Sequence, residues 1–222
     1  MIGIIGAMEE EVVALKSEMA DAKVTEFASM TFYKGTLCGK DAVVVRSGIG
    51  KVNAAICAQI LVDKFGVDTL INTGIAGSLD ARIDIGDMVI STDAVHHDMD
   101  ATIFGDAIGQ VPRMDTRTFP ADPHLVELAV KANEKANPQI HTFTGRVASG
   151  DQFISSGEVK ARIVENFRLF AQRWRERESR TRLTLTKFRM SSFEQFLIKL
   201  TTVQRWIIQS LKNRQLPTAW RL

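Results

Sequence analysis

Cysteine is scarce in this chain. Cys38 and Cys57 are the only two in 222 residues. They make no disulfide framework and match no zinc-ligand spacing, so neither is expected, and a reducing cytoplasm is the simplest setting. No apolar run approaches the roughly 18 residues of a membrane span, so none is expected. The N-terminus lacks a basic stretch followed by a long apolar one, so no secretory leader is expected. No segment repeats and no long linker divides the chain, which points to one domain over 1–222. Aspartate is absent after Asp151, so chemistry that needs an aspartic acid must draw on the residues before it.

What is present is uneven. Apolar residues make up 45% of the chain, ordinary for a globular protein. Residues 1–166 carry 15 Lys and Arg against 23 Asp and Glu, whereas residues 167–222 carry 13 against 3. Trp174, Trp206 and Trp220 all fall in that basic part. Arg173, Arg175, Arg177, Arg180 and Arg182 around Trp174 would suit nucleic-acid phosphates and a stacked base. The split equally suits a tail whose origin differs from that of the body.

The chain is organised around residues 67–78, Val-Asp-Thr-Leu-Ile-Asn-Thr-Gly-Ile-Ala-Gly-Ser. A short apolar run reads as a buried strand, and it ends where glycines allow a ligand to approach the backbone. Ligands of open α/β sheets commonly sit at such carboxyl ends. Two more glycine-bounded strands, at 2–6 and 42–46, support this reading. Further strands are expected at 31–37, 69–73, 88–91 and 142–149. Helices are expected from Met8 to Leu15, over 51–65, over 123–136 with Asp122 as cap and Pro123 at its first position, and over 158–165. This alternation predicts an α/β fold with a mostly parallel, covered sheet. Beyond Asn166 the pattern weakens. Residues 168–180 could form a very basic helix and 181–187 a surface strand. A clearer helix is expected over 193–212, where Phe193, Phe196, Leu197 and Leu200 share a face after a possible cap at Ser192.

Glu9, Glu10 and Glu11 suit the positive end of a helix, and one of them could turn back into a pocket at the strand end. His96, His97 and Asp98 resemble a metal cluster at first sight. Adjacent strand residues point to opposite faces, however, so no metal site is expected. The segment 101–121 reads as a loop with Phe104, Ile108, Val111 and Pro112 as apolar members, suited to a lid or an oligomer contact.

Taken in order, residues 2–11, 47–55, 72–77, 104–105, 110–112 and 149–154 resemble the purine nucleoside phosphorylase/uridine phosphorylase family. Within it they resemble the branch that hydrolyses 5'-methylthioadenosine and S-adenosylhomocysteine. The Gly-Ala-Met-Glu-Glu-Glu opening at 6–11 favours these hydrolases over the phosphate-using relatives. The resemblance implies a three-layer nucleoside phosphorylase-like fold with a central mixed, twisted sheet flanked by helices. It implies loss of adenine from the ribose C1' to water, with no cofactor and no metal. By resemblance Glu11 handles the water. Ala7, Ile75, Ala76 and Gly77 line the site, with Ile75 standing where a serine is common. Phe153 stacks on adenine, the backbone of Ile154 bonds the base, and Phe193 is a pocket aromatic. Phe104 and Pro112 match residues that cover the thio-substituent pocket of a neighbouring subunit, which implies a homodimer. Without the resemblance, Glu11 is a helix-start acid and Phe153 a packing residue. A phosphate-dependent phosphorylase would draw on Arg46 and Arg82. Nucleic acid is not expected as a partner, because the basic tail interrupts an enzyme pattern.

The resemblance holds to about residue 167 and departs there. The family then carries a Val-Glu-Met-Glu strand, whose second glutamate holds the ribose hydroxyls. Later comes Arg-Ala-Ile-Ser-Asp, whose aspartate helps protonate the base. Neither motif occurs. Glu176 and Glu178 sit among arginines and match neither role. A family-like pattern returns at 190–199, so 168–189 reads as an aberrant insert before a family-like helix at 190–212. A shifted reading frame with an internal deletion accounts for such a segment. In that case an alternative frame of the gene encodes Glu-Met-Glu and Ser-Asp. The chain as written is expected to fold poorly and to be nearly inactive.

Overall fold

The computed structural model describes residues 1–84 and 86–167 in full, and of 171–173 and 189–196 the backbone alone. Strand β1 (Ile2–Gly6) lies at the centre of the sheet, flanked in parallel by β4 (Lys40–Arg46) and β5 (Thr69–Ser78). Its five residues are all buried, as a strand covered on both faces requires. Beyond β4 the sheet continues antiparallel through β3 (Met30–Leu37) to the edge strand β2 (Ala20–Phe27).

On the other side, β5 pairs in parallel with β10 (Arg189–Phe196), which pairs antiparallel with β6 (Met88–His96). Strand β6 carries β7 (Thr118–Pro120) on one side and runs parallel to β8 (Thr142–Ser149). Strand β9 (Ala171–Arg173) bridges β8 and the end of β5. The strands β5, β10, β6, β8 and β9 therefore close a ring, with β7 attached outside it along β6.

The helices cover both faces. Ile4, Val44 and Ile71 turn to one side, against Val12, Leu15, Ala129 and Ala132. These come from the short α1 (Val13–Ser17), the turn before it, and α3 (Pro123–Ala136). Ile5, Val43, Val45 and Leu70 turn to the other side, against Cys57, Ala58 and Leu61 of α2 (Lys51–Phe65). Helix α4 (Gly157–Phe167) places Ile163 and Phe167 against Val95 and Ala148. This is the three-layer α/β arrangement that the resemblance implies.

Several elements lie where local pattern puts them. Helix α2 spans the expected 51–65. Asp122 caps α3, its Oδ1 accepting the N–H of His124 at 2.9 Å and of Leu125 at 3.1 Å. Other expectations are corrected. The helix expected from Met8 to Leu15 is a single 3₁₀ turn, Glu9–Glu11, followed by α1. Strands β5 and β6 run past 73 and 91, because their neighbours supply pairing partners further along. Residues 171–173, expected within a basic helix, and Phe193–Phe196, expected as the start of the C-terminal helix, are both in strands. Pairing with distant residues overrides local periodicity at both places. The expected strand at 181–187 and the remainder of the C-terminal helix, 197–212, lie outside the described residues. Among the described residues no helix is long and apolar enough to cross a membrane.

Candidate functional site

Strand β1 ends at Gly6, and the chain doubles back through the 3₁₀ turn to bring Glu11 over that end. A Cβ at Gly6 would lie 2.6 Å from Val12 Cγ1 and 2.9 Å from Glu11 Cβ, so only glycine lets the turn close. Glu11 is 3% exposed. Its Oε2 accepts the N–H of Ala7 at 2.6 Å and of Met8 at 2.9 Å, while Oε1 accepts the N–H of Ile75 at 3.3 Å. A buried carboxylate without such donors would be costly; here the backbone of two strand ends compensates it. Ala7 and Ala76 are buried, Ile75 half-buried and Gly77 exposed, all at this end of the sheet. Of the three glutamates, Glu11 is the one whose carboxylate turns back over the strand end. Glu9 and Glu10 stay exposed, and Glu9 pairs with Lys16 at 2.8 Å.

The next strand end contributes Ser47. Its N–H donates to the Gly6 carbonyl at 2.8 Å, and its hydroxyl donates to Gly48 O at 2.9 Å. The glycine-rich loop then enters α2 at Lys51. Here the chain meets the loop after β8, because Lys51 N–H donates to Asp151 Oδ1 at 3.0 Å. Two residues further on is Phe153, 74% exposed. Ile154 is half-buried against the cluster of Val95, Ala148, Ile163 and Phe167. The structure thus connects Glu11, Ala7 and Ile75 directly, and links them through Ser47 and Lys51 to the Phe153 loop.

Other expected site residues stand apart. Phe104 is 83% exposed on the 3₁₀ turn Thr102–Phe104, and Pro112 lies further along the same segment, also exposed. Phe193 lies on β10 with its Cα opposite Thr73 and Ile90, and its side chain is outside the described residues. A cavity of about 620 Å³ opens beside the end of β5, lined by Ser78, Leu79, Asp80, Lys160, Val164 and Glu165 among others; Glu11 and Phe153 do not line it. Arg82 hydrogen-bonds Asp80 at 2.6 Å and holds its carboxyl at about 2. Arg46 faces Glu9 at 3.7 Å. Both arginines that a phosphate would need are thus turned towards carboxylates.

Local sequence pattern assigns no role to Lys51, Asp98 or Asp151. Lys51 Nζ donates to Asp98 Oδ1 at 3.0 Å and Oδ2 at 2.9 Å, and lies 3.8 Å from Asp151 Oδ2. Burial pushes the Asp98 carboxyl up, but the Lys51 ammonium and the Asp151 N–H outweigh it and hold it below the ordinary value. His96 and His97 part company. The His96 ring meets Phe119 edge-on, and the His97 ring packs on Gly150, where a Cβ would lie 2.1 Å from Nε2.

Comparison with known proteins places these features. A family model described as the phosphorylase superfamily matches residues 1–171. The match thus ends inside the stretch where the sequence turns basic. The 5'-methylthioadenosine/S-adenosylhomocysteine nucleosidase of Staphylococcus saprophyticus is 45% identical over 168 residues, covering 75% of this chain and 72% of the relative. Among solved structures, the nucleosidase of the same name from Neisseria meningitidis, in complex with methylthio-immucillin-A, superposes with a TM-score of 0.89. It is 31% identical and the match covers 96% of this chain and 98% of the other. That of Colwellia psychrerythraea, in complex with adenine, gives a TM-score of 0.88 at 35% identity, over 95% and 93% of the two chains.

Proposed function

The chain belongs to the phosphorylase superfamily and, within it, to the 5'-methylthioadenosine/S-adenosylhomocysteine nucleosidases, and from that membership we propose that it hydrolyses the N-glycosidic bond of these adenine thionucleosides. The observation that carries this reading is the buried Glu11 carboxylate, held by the N–H groups of Ala7, Met8 and Ile75 at the end of the sheet. In the proposed reaction the bond from C1' to the base nitrogen breaks and a bond from C1' to a water oxygen forms. Glu11 takes the proton of that water, and its negative charge favours the cationic sugar of the transition state. The leaving base takes a proton from solvent water and Glu11 later returns its proton to solvent, so that one water is consumed in all. Adenine stacks on Phe153 and bonds the backbone of Ile154, while Ala7, Ile75, Ala76 and Gly77 form the floor, and Phe193 supplies a further pocket aromatic. The products are adenine and 5-methylthioribose or S-ribosylhomocysteine. No cofactor and no metal enters.

Turnover in this chain is slow on this reading. No aspartate follows Asp151, so the family's acid has no counterpart, and neither Glu176 nor Glu178 matches the ribose-binding glutamate. Loss of one positioned acid typically costs about 10²–10⁴-fold in rate, and loss of the ribose clamp adds misorientation. The chain acts as a homodimer, in which Phe104 and Pro112 cover the thio-substituent pocket of the neighbouring subunit. Supporting this, Ile49, Val52, Ile56, Ile103 and Phe104 are all exposed apolar side chains. The free thiols of Cys38 and Cys57 suit a cytoplasmic setting.

The test is adenine release from 5'-methylthioadenosine by the purified chain without phosphate. Slow, phosphate-independent release is expected, and release that requires phosphate would overturn the hydrolase reading. Replacing residues 168–222 by the corresponding segment of the Staphylococcus saprophyticus relative is expected to raise the rate by at least about 10²-fold.

A further inference from the structure

We propose that Lys51, Asp98 and Asp151 form a clamp that positions the loop carrying Phe153 and Ile154, making Lys51 a positioning residue for the adenine site. The inference rests on the proposed roles of Phe153 and Ile154. The clamp is a closed circuit of bonds between three elements: the start of α2, the segment after β6 and the segment after β8. Lys51 Nζ donates to both Asp98 oxygens. Asp98 Oδ2 also accepts the N–H of Asp151 at 2.9 Å. Asp151 Oδ1 in turn accepts the N–H of Lys51 at 3.0 Å.

Each bond has a local cause. Helix α2 begins after Gly50, which offers no side chain to satisfy its first N–H groups. Asp151 supplies the missing acceptor from a distant part of the chain, and its negative charge suits that end of the helix. Two carboxylates so close together need a cation, and the Lys51 ammonium lies within 3.8 Å of both. The Lys51 and Asp98 side chains are only 15% and 11% exposed, so this pair is poorly screened by water. Behind it, the His97 ring fills the space that a side chain at residue 150 would need, which fixes the approach of the loop. Phe153 follows Asp151 by two residues, so a shift of Asp151 moves the stacking ring with it.

The roles differ from packing in a measurable way. Lys51→Met leaves the Asp98 and Asp151 carboxylates facing each other without their cation, and the loop is pushed from its seat. Adenine titration of the full chain is expected to show affinity at least about tenfold weaker in Lys51→Met, with most of it recovered in Lys51→Arg. In the ligand-free protein, amide hydrogen exchange over residues 149–155 is expected to accelerate in Lys51→Met while the β1 and β5 amides stay protected. Adenine affinity that is unchanged in Lys51→Met, or exchange over 149–155 that is unchanged, overturns the clamp. If Lys51→Met does not fold, Asp98→Asn is measured by the same two readouts, and an unchanged value in either again overturns the clamp. A parent chain that binds no adenine overturns the base-site reading and this inference with it. The two failures are therefore told apart by the parent alone.

Discussion

The N–H of Ile75 donates to Oε1 of Glu11 at 3.3 Å, so one carboxylate ties the turn after β1 to strand β5. Oε2 is already engaged by Ala7 and Met8. In Glu11→Gln one carboxylate oxygen becomes an amide that cannot accept these N–H groups, and no base remains to take a proton. The rate of adenine release is expected to fall by about 10²–10⁴-fold with adenine affinity kept within a few-fold. Single-turnover release and adenine titration check it. A variant as fast as the parent would remove Glu11 from the chemistry.

Phe153 presents most of its ring to solvent, whereas Ile154 beside it is packed. Phe153→Ala should therefore lose about 1–3 kcal/mol of base stacking while barely changing the melting temperature. Adenine titration and thermal melting of the same samples separate the two effects. A large fall in melting temperature with unchanged affinity would make Phe153 a structural residue.

How much of the fold and site is legible in the sequence depends on the range of the cause. Helix α2 and the Asp122–Pro123 start of α3 are set by neighbours within a few residues, and local pattern locates both. Strand β2 escapes a pattern reading because it is an exposed edge. Its residues face solvent along nearly its whole length, and although Ala20, Ala22 and Val24 alternate with Asp21, Lys23 and Thr25, two of the three apolar members are alanines and give little apolar signal. Phe193 reads as helical because 193–212 repeats with helical spacing; its place in β10 is set by Thr73 and Ile90, far away in sequence. Glu11 is legible as one of three acids that could turn back over the strand end, and the resemblance singles it out among them. The Lys51 clamp is not, because its partners are 47 and 100 residues distant and no local motif signals them.

The closing of the turn over β1 depends on Gly6. Gly6→Ala places a methyl group against Val12 and Glu11, both buried and neither free to withdraw. Overpacking of this kind typically costs about 1–3 kcal/mol. Urea unfolding should show that loss, with adenine release falling further than the fraction folded explains, because Glu11 moves. Stability equal to the parent would mean that the turn has slack that the packing at Gly6 does not show.

His97 gives the protein an acid-side weakness. Burial lowers its affinity for a proton below the ordinary histidine value; the nearby Asp98 and Asp151 pull it back up, and Lys51 pushes it down again. The folded state thus binds this proton less readily than the unfolded chain does. Stability from this group is fully present above the unfolded value, near pH 6.5, and is lost as pH falls through the lower folded value. Asp98 is also held below its ordinary value, and as a carboxylate it titrates below this window. The melting temperature is therefore expected to decline as pH falls from about 7 through the lower folded value, and His97→Gln should flatten that slope. Melting curves of both proteins across this range decide it. Parallel slopes would assign the decline to other groups. A slope of opposite sign would mean that Asp98 and Asp151 outweigh burial and that the imidazolium is the form the fold prefers.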